Sequence, residues 1–273
     1  MLITPFFVYL HNAKTGGTFV TRMLQELADR NPGFPVEQPP GLKHCGRKRI
    51  PEAHSELPVV TNLRYLMDHY ISRYEFRWWT RDNFFNRDAV EARYPNFPDL
   101  NFRDFMFAFS DWSLRDIKRK KALHLDACDV GVNSYAVAQL LGLGSFRFWE
   151  RQDGFSDDKL QRKFSDCSFL RTHNLNRDLT DYVDSFSLDS SGPLDTAFIL
   201  ESGKVLPVLG GRGEDARSWE SYFDDELVDL VLRKDRLLLR VQPWLLEEFP
   251  AGSDLRLQEI IREKQSAVTR MGG

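Results

Sequence analysis

The sequence predicts an α/β protein, and three junctions carry that prediction. Each sets a short apolar run against a segment with helical spacing: residues 6–10 before 19–27, residues 57–62 before 66–74, and residues 169–172 before 174–179. Strands and helices that alternate along a chain are the pattern of a sheet covered by helices.

At the first junction, Phe6-Phe7-Val8-Tyr9-Leu10 has no helical spacing and reads as a buried strand. After His11-Asn12-Ala13-Lys14-Thr15-Gly16-Gly17-Thr18, the residues Phe19, Val20, Met23, Leu24 and Leu27 recur at helical spacing. A strand, a Gly-containing loop with a cation, and a helix together make an anion-binding arrangement. The first N–H groups of a helix lack internal partners, and the dipole places partial positive charge there. Gly16 and Gly17 allow close backbone approach and positive φ. Lys14 adds a full charge, while Thr15 and Thr18 add hydroxyl donors. This is not the nucleoside-triphosphate P-loop, in which Lys directly precedes Ser or Thr after the second Gly. Here Lys14 comes before the Gly pair.

The chain then breaks at Asn31-Pro32-Gly33-Phe34-Pro35 and Pro39-Pro40-Gly41. In the stretch Leu42-Lys43-His44-Cys45-Gly46-Arg47-Lys48-Arg49-Ile50-Pro51, the basic triplet reads as a solvated cluster. The second junction runs from a strand over 57–62 into a helix marked by Leu66, Tyr70, Ile71 and Tyr74. Arg64 at that strand's end offers a planar fork to a phosphate monoester. The Ser72 hydroxyl, two helical turns later, can close on the same group.

Aromatic residues crowd the next stretch, among them Trp78, Trp79, Phe84, Phe85, Phe102, Phe105 and Phe109. Core packing is the simpler reading and an apolar pocket wall the sharper one. Residues 115–121 read as a solvated basic helical face. Short helices are expected over 101–109 and over 134–141, the latter stopped by Gly142. Further helices are expected from 223 and over 254–268. Between those two, Leu209-Gly210-Gly211-Arg212-Gly213-Glu214-Asp215-Ala216-Arg217-Ser218 reads as a flexible loop.

Composition narrows the function classes. The 273 residues carry 42% hydrophobic and 28% charged side chains, enough for a large core in an ordinary globular protein. A net charge of −3 argues against nucleic-acid binding and mildly against a long polyanionic substrate. Cys45, Cys128 and Cys167 are odd in number, widely spaced and without metal-ligand spacing, which fits reduced thiols in a cytoplasmic protein. No run approaches the ~20 apolar residues of a membrane span, and no leader-like segment opens the chain. No linker or repeat divides it, so a single domain over 1–273 is expected, with no nucleic-acid or membrane partner.

The order Lys-Thr-Gly-Gly-Thr after a strand ending in His resembles the 5′-phosphosulfate loop of sulfotransferases that use 3′-phosphoadenosine 5′-phosphosulfate (PAPS). Carbohydrate-type members often read His-Ile-Pro-Lys-Thr-Gly-Gly-Thr; Asn12 and Ala13 depart from that pattern. Arg64 and Ser72, eight apart, resemble the family's 3′-phosphate motif, and Tyr74 matches as well. Tyr65, Leu66 and His69 replace its usual Asp/Asn, Pro and Arg. Residues 42–51 resemble a family stretch in which a His precedes Ile-Pro, which puts His44 in the place of the base. The Leu-Arg-Thr-X-Asn-Leu pattern at 170–175 and the Glu-Leu helix at 223–231 resemble later family segments. Arg212 and Arg217 occupy the position of a basic loop that closes over the adenosine.

The resemblance implies a central parallel sheet flanked by helices in a P-loop-kinase-like sulfotransferase fold. It implies sulfuryl transfer from PAPS to a hydroxyl or amine of a small-molecule or sugar acceptor, leaving adenosine 3′,5′-bisphosphate, with no metal required. Lys14 and His44 would be catalytic. Lys14, Thr15, Gly16, Gly17, Thr18, Phe19, Arg64, Ser72 and Arg212 would hold the nucleotide. His54, His173 or a carboxylate stay open as alternative bases. An ATP-dependent kinase on a related fold and a non-catalytic nucleotide-binding homologue stay open as alternative functions.

Overall fold

A computed structural model of the chain describes residues 1–80, 84–186, 193–203, 221–246 and 263. The loop with Arg212 and Arg217 lies outside these residues, as does the helix expected over 254–268 apart from residue 263. The chain folds into two compact units that interleave in sequence. One comprises Met1–Arg64, Val137–Leu143 and Gln161–Val208, the other Tyr65–Ala136, Gly144–Leu160 and Leu209–Gly273.

The first unit is built on a four-stranded sheet of β1 (Leu2–Ile3), β2 (Val8–Leu10), β3 (Val59–Leu63) and β4 (Cys167–Arg171), adjacent in that order. Strands β2, β3 and β4 run parallel, with Leu10 opposite Thr61 and Leu63 opposite Arg171. Strand β1 runs antiparallel to β2, so the sheet is mixed rather than wholly parallel as expected. The Thr4 hydroxyl explains the reversal. It accepts the N–H groups of Phe6 and Phe7 at 3.2 and 2.9 Å, closing a tight turn that folds Leu2–Ile3 back along β2. That turn also shortens the strand expected over 6–10 to its last three residues.

Helix α1 (Gly17–Arg30) connects β2 toward β3. Its residues Phe19, Val20, Met23, Leu24 and Leu27 are all buried, as their spacing requires. They pack with Phe7 and Tyr9 of the first turn and strand, Val60 of β3 and Leu170 of β4, and with Leu175, Leu179 and Val183 of the later helix at Leu175–Asp184. Truncating one such Leu to Ala costs about 2–5 kcal/mol, so this core fixes where the loop before α1 sits.

The second unit is helical. It holds α2 (Leu66–Phe76), α3 (Arg87–Arg93), α4 (Phe102–Ser110) and α5 (Arg119–Ala127). Helix α6 (Val132–Leu140) has residues in both units, α7 (Phe146–Arg151) lies in the second, and α8 (Asp157–Phe164) has residues in both. Helices α9 (Leu175–Asp184) and α10 (Ala197–Glu201) belong to the first unit, α11 (Asp225–Lys234) and α12 (Arg236–Val241) to the second. Gly142, at φ 78, ends α6 where the sequence placed its stop. Trp79, Phe85, Phe102, Phe105 and Phe109 are buried, which bears out core packing for these rings.

The basic face expected over 115–121 is corrected at its start. Arg115 is buried, with its guanidinium over the rings of Phe84 at 3.5 Å and Phe109 at 4.3 Å. Only from Arg119 does the segment become helix α5. No helix among the described residues is long and apolar enough to cross a membrane.

Candidate functional site

Because β2, β3 and β4 are parallel, the residues that follow them gather at one edge of the sheet. These are His11 to Gly16 after β2, Arg64 after β3 and Thr172 after β4. The carboxyl edge of parallel strands is where α/β proteins bind ligands.

The loop after β2 is held from below by side chains of its neighbours. Asn12 donates its amide to Asn62 O at 3.1 Å, and Asn62 donates its own to Thr15 O at 3.1 Å. The Thr172 hydroxyl lies 2.7 Å from Thr15 O and 2.8 Å from Leu63 O. Asn12, which departs from the family's His-Ile-Pro pattern, is therefore a brace between the first two junctions. The Thr15 hydroxyl is buried and donates to Asn12 O at 2.9 Å. It serves the loop's own turn, whereas Thr18 is exposed at the helix start.

Lys14 adopts φ 65 and Gly16 φ 90, both left-handed. For Lys14 this is an uncommon conformation, held by the bonds on either side of it. Gly16 is the residue before α1, and a Cβ there would lie 2.7 Å from Leu175 Cδ2. Gly17 has ordinary dihedrals but no room: a Cβ would sit 2.6 Å from His11 Nε2. The two glycines thus do different work, one turning the chain and the other admitting the His11 ring. Phe19, expected in the nucleotide site, directs its side chain into the core and offers the site only its backbone.

The start of α1 is electrically open. The N–H groups of Gly16, Gly17 and Thr18 find no acceptor among the described residues, while those of Phe19 and Val20 both reach Gly16 O. No side chain caps the helix, and its first turn has no acidic residue. Arg64 donates to Lys14 O at 3.5 Å, so the cation of the second junction meets the loop of the first.

His44 also arrives at this edge. Its ring lies edge-on to His11, with centroids 4.7 Å apart. His11 is buried, and burial, with smaller contributions from His44 and Lys43, lowers its pKa to about 4. It is neutral at pH 7. His44 is exposed at the surface. Partial desolvation and Lys43 hold it below the usual imidazole value, against a hydrogen bond to the His11 backbone that raises it. Two buried polar atoms at this edge, His11 Nδ1 and Asn62 Oδ1, have no partner among the described residues.

Ser72 lies half-buried on α2, in the second unit. Arg212 lies outside the described residues. His54 sits in a short turn at Glu52–His54 and His173 is exposed just after β4. No group of three or more His, Cys, Asp or Glu among the described residues is arranged to hold a metal ion.

Sequence reasoning missed three contributors: Asn62, Thr172 and the close contact of His11 with Gly17. Asn62 had a usable signal, a polar residue closing an otherwise apolar strand. Comparison with protein-family models, with characterised proteins and with solved structures finds no match for this chain.

Proposed function

We propose that this chain is a PAPS-dependent sulfotransferase on a P-loop-kinase-like fold, acting on a hydroxyl or amine of a small-molecule or sugar acceptor. One observation carries the reading. Three successive N–H groups at an uncapped helix start stand beside Lys14 and Arg64, at the carboxyl edge of parallel strands, with a neutral histidine pair adjoining them. That is a cradle for a phosphate or sulfate oxyanion with a base next to it.

In this reading the open N–H groups of Gly16, Gly17 and Thr18 and the Lys14 ammonium bind the phosphosulfate, while the Phe19 N–H is taken by Gly16 O. They stabilise the phosphate oxygen as it takes the electron pair of the breaking S–O bond. His44 accepts the proton that the acceptor hydroxyl or amine loses as its new bond to sulfur forms. A lowered pKa keeps His44 unprotonated at pH 7 and so able to act as a base. Arg64 binds the 3′-phosphate and thereby discriminates against ATP. The three free thiols support a cytoplasmic setting.

The test is a radiolabelled sulfate-transfer screen against alcohols, phenols, amines and sugars. Transfer to at least one acceptor is expected, with His44→Ala reducing turnover by a hundredfold or more while nucleotide affinity is kept. Nucleotide binding with no transfer to any acceptor would leave a non-catalytic homologue. Mg-dependent ATP turnover would make the chain a kinase.

A further inference from the structure

A second feature lies in the helical unit, on residues given no role above. Two large apolar side chains are exposed there, Leu123 at 55% and Phe146 at 42%. The Phe146 ring packs 4.3 Å, centroid to centroid, from His124, which follows Leu123 on α5. Positive charge is concentrated next to these residues in the chain, in Lys118-Arg119-Lys120-Lys121 at the start of α5 and in Arg147 after Phe146. Lys118, Arg119, Lys120 and Arg147 are exposed and form no ion pair among the described residues. Lys121 instead lies over the Tyr135 ring at 5.0 Å. In sequence, Asp116 precedes these cations, half-buried Asp126 lies near the end of α5 and Glu150 follows Arg147.

We propose that this patch docks the protein on an anionic lipid bilayer. Arg119, Lys120, Leu123 and Ala127 are spaced to share one face of α5, and all four are exposed. Exposed Leu and Phe on segments that also carry exposed cations match the two layers of a membrane interface. The apolar pair enters the acyl boundary while the cations meet lipid phosphates and carboxylates. A soluble polyanion would satisfy the cations but leave Leu123 in water. The net charge of −3 for the whole chain, which argued against such a partner, conceals this local excess. With no ion pairs to the four exposed cations among the described residues, the excess is available to a negatively charged surface.

The experiment is co-sedimentation of the full chain with vesicles of phosphatidylcholine alone or with 30% phosphatidylserine, in roughly 0.1 M salt. Binding is expected only with phosphatidylserine, and 0.5 M salt is expected to abolish it. The triple variant Lys118→Gln, Arg119→Gln, Lys120→Gln should bind on the order of a hundredfold more weakly, at about fivefold per cation. Leu123→Ser with Phe146→Ser should weaken binding at least tenfold. Thermal melts should be unchanged in the cation variant, whose side chains are exposed, and lowered only slightly where Phe146 loses its packing on the His124 ring. Three results would overturn the proposal: no binding to the phosphatidylserine vesicles, binding that neither variant weakens, or equal binding to a single-stranded oligonucleotide that ignores the Leu123 and Phe146 changes.

Discussion

Two buried polar clusters in this molecule are built on opposite terms. In the helical unit, Asp235 is wholly buried and both its oxygens are filled. One accepts from the Ser134 N–H at 2.7 Å, and the other from the Tyr70 hydroxyl at 2.7 Å and the Asn133 amide at 3.2 Å. Arg73, buried beside it, donates to Asn133 at 3.2 Å. At the sheet edge of the other unit, the Lys14 loop keeps three N–H groups and two buried side-chain atoms without partners among the described residues. Polar groups that satisfy one another are architecture, and open donors gathered beside a cation at a sheet edge are suited to an anion. Orphaned atoms occur in the helical unit too, at Trp79, Ser110, Arg115, Ser134 and Trp149, and the Ser134 Oγ lies beside Asp235; there, however, the carboxylate itself is fully engaged.

Substitutions should separate the two clusters. The largest effect is expected at Asp235. Asp235→Ala leaves the Tyr70, Asn133 and Ser134 donors buried without an acceptor and should cost about 3–5 kcal/mol in denaturant unfolding. Gly17→Ala comes next. Its Cβ would meet the His11 ring, and the forced shift should cost about 1–3 kcal/mol and lower nucleotide affinity as well. Lys14→Ala and Arg64→Ala should reverse the pattern seen at Asp235. Stability should move by less than about 1 kcal/mol, while affinity for adenosine 3′,5′-bisphosphate falls roughly 10- to 100-fold. A loss of stability at Lys14 as large as that at Asp235 would erase the contrast.

The smallest effect is a pH dependence. His11 has a folded pKa of about 4 against an ordinary value near 6.5, so the unfolded chain binds the proton more readily. Stability therefore falls as pH drops from about 6.5 toward 4, by at most roughly 3 kcal/mol from this residue. Comparing the pH profiles of wild type and His11→Phe isolates that contribution. Asp178 acts further down. Burial raises its pKa, but the bonds from Arg171 and Asn174 together outweigh this and hold it below the usual carboxylate value. Its stabilising contribution is thus lost only as pH falls through that lower range.

What the sequence disclosed followed from local physics. The apolar run through Leu10, the Gly pair and the spacing of Phe19, Val20, Met23, Leu24 and Leu27 fix a strand, a turn and a helix within one short window. The same holds for α2, and for α11, whose Asp224 caps the helix by accepting the Leu227 N–H at 2.9 Å. Distant partners stayed hidden. Asp235 meets Tyr70 across 165 positions and Thr172 meets Thr15 across 157, and no periodicity reports such pairs. Arg115 misled for a related reason: its neighbours in sequence are solvated cations, while its neighbours in space are aromatic rings. The antiparallel β1 escaped because a two-residue strand is too short to show alternation. His44 was placed beside the loop by resemblance alone, and its ring does lie against His11.

The central claim is that the Lys14 loop grips the phosphates of a 3′-phosphorylated adenosine nucleotide. Isothermal titration of the full chain with adenosine 3′,5′-bisphosphate, without magnesium, tests it directly. The account predicts saturable binding that is weakened at least tenfold by Lys14→Ala and by Arg64→Ala, with ATP bound far more weakly. No heat with the bisphosphate, or equal affinity in both variants, would contradict it.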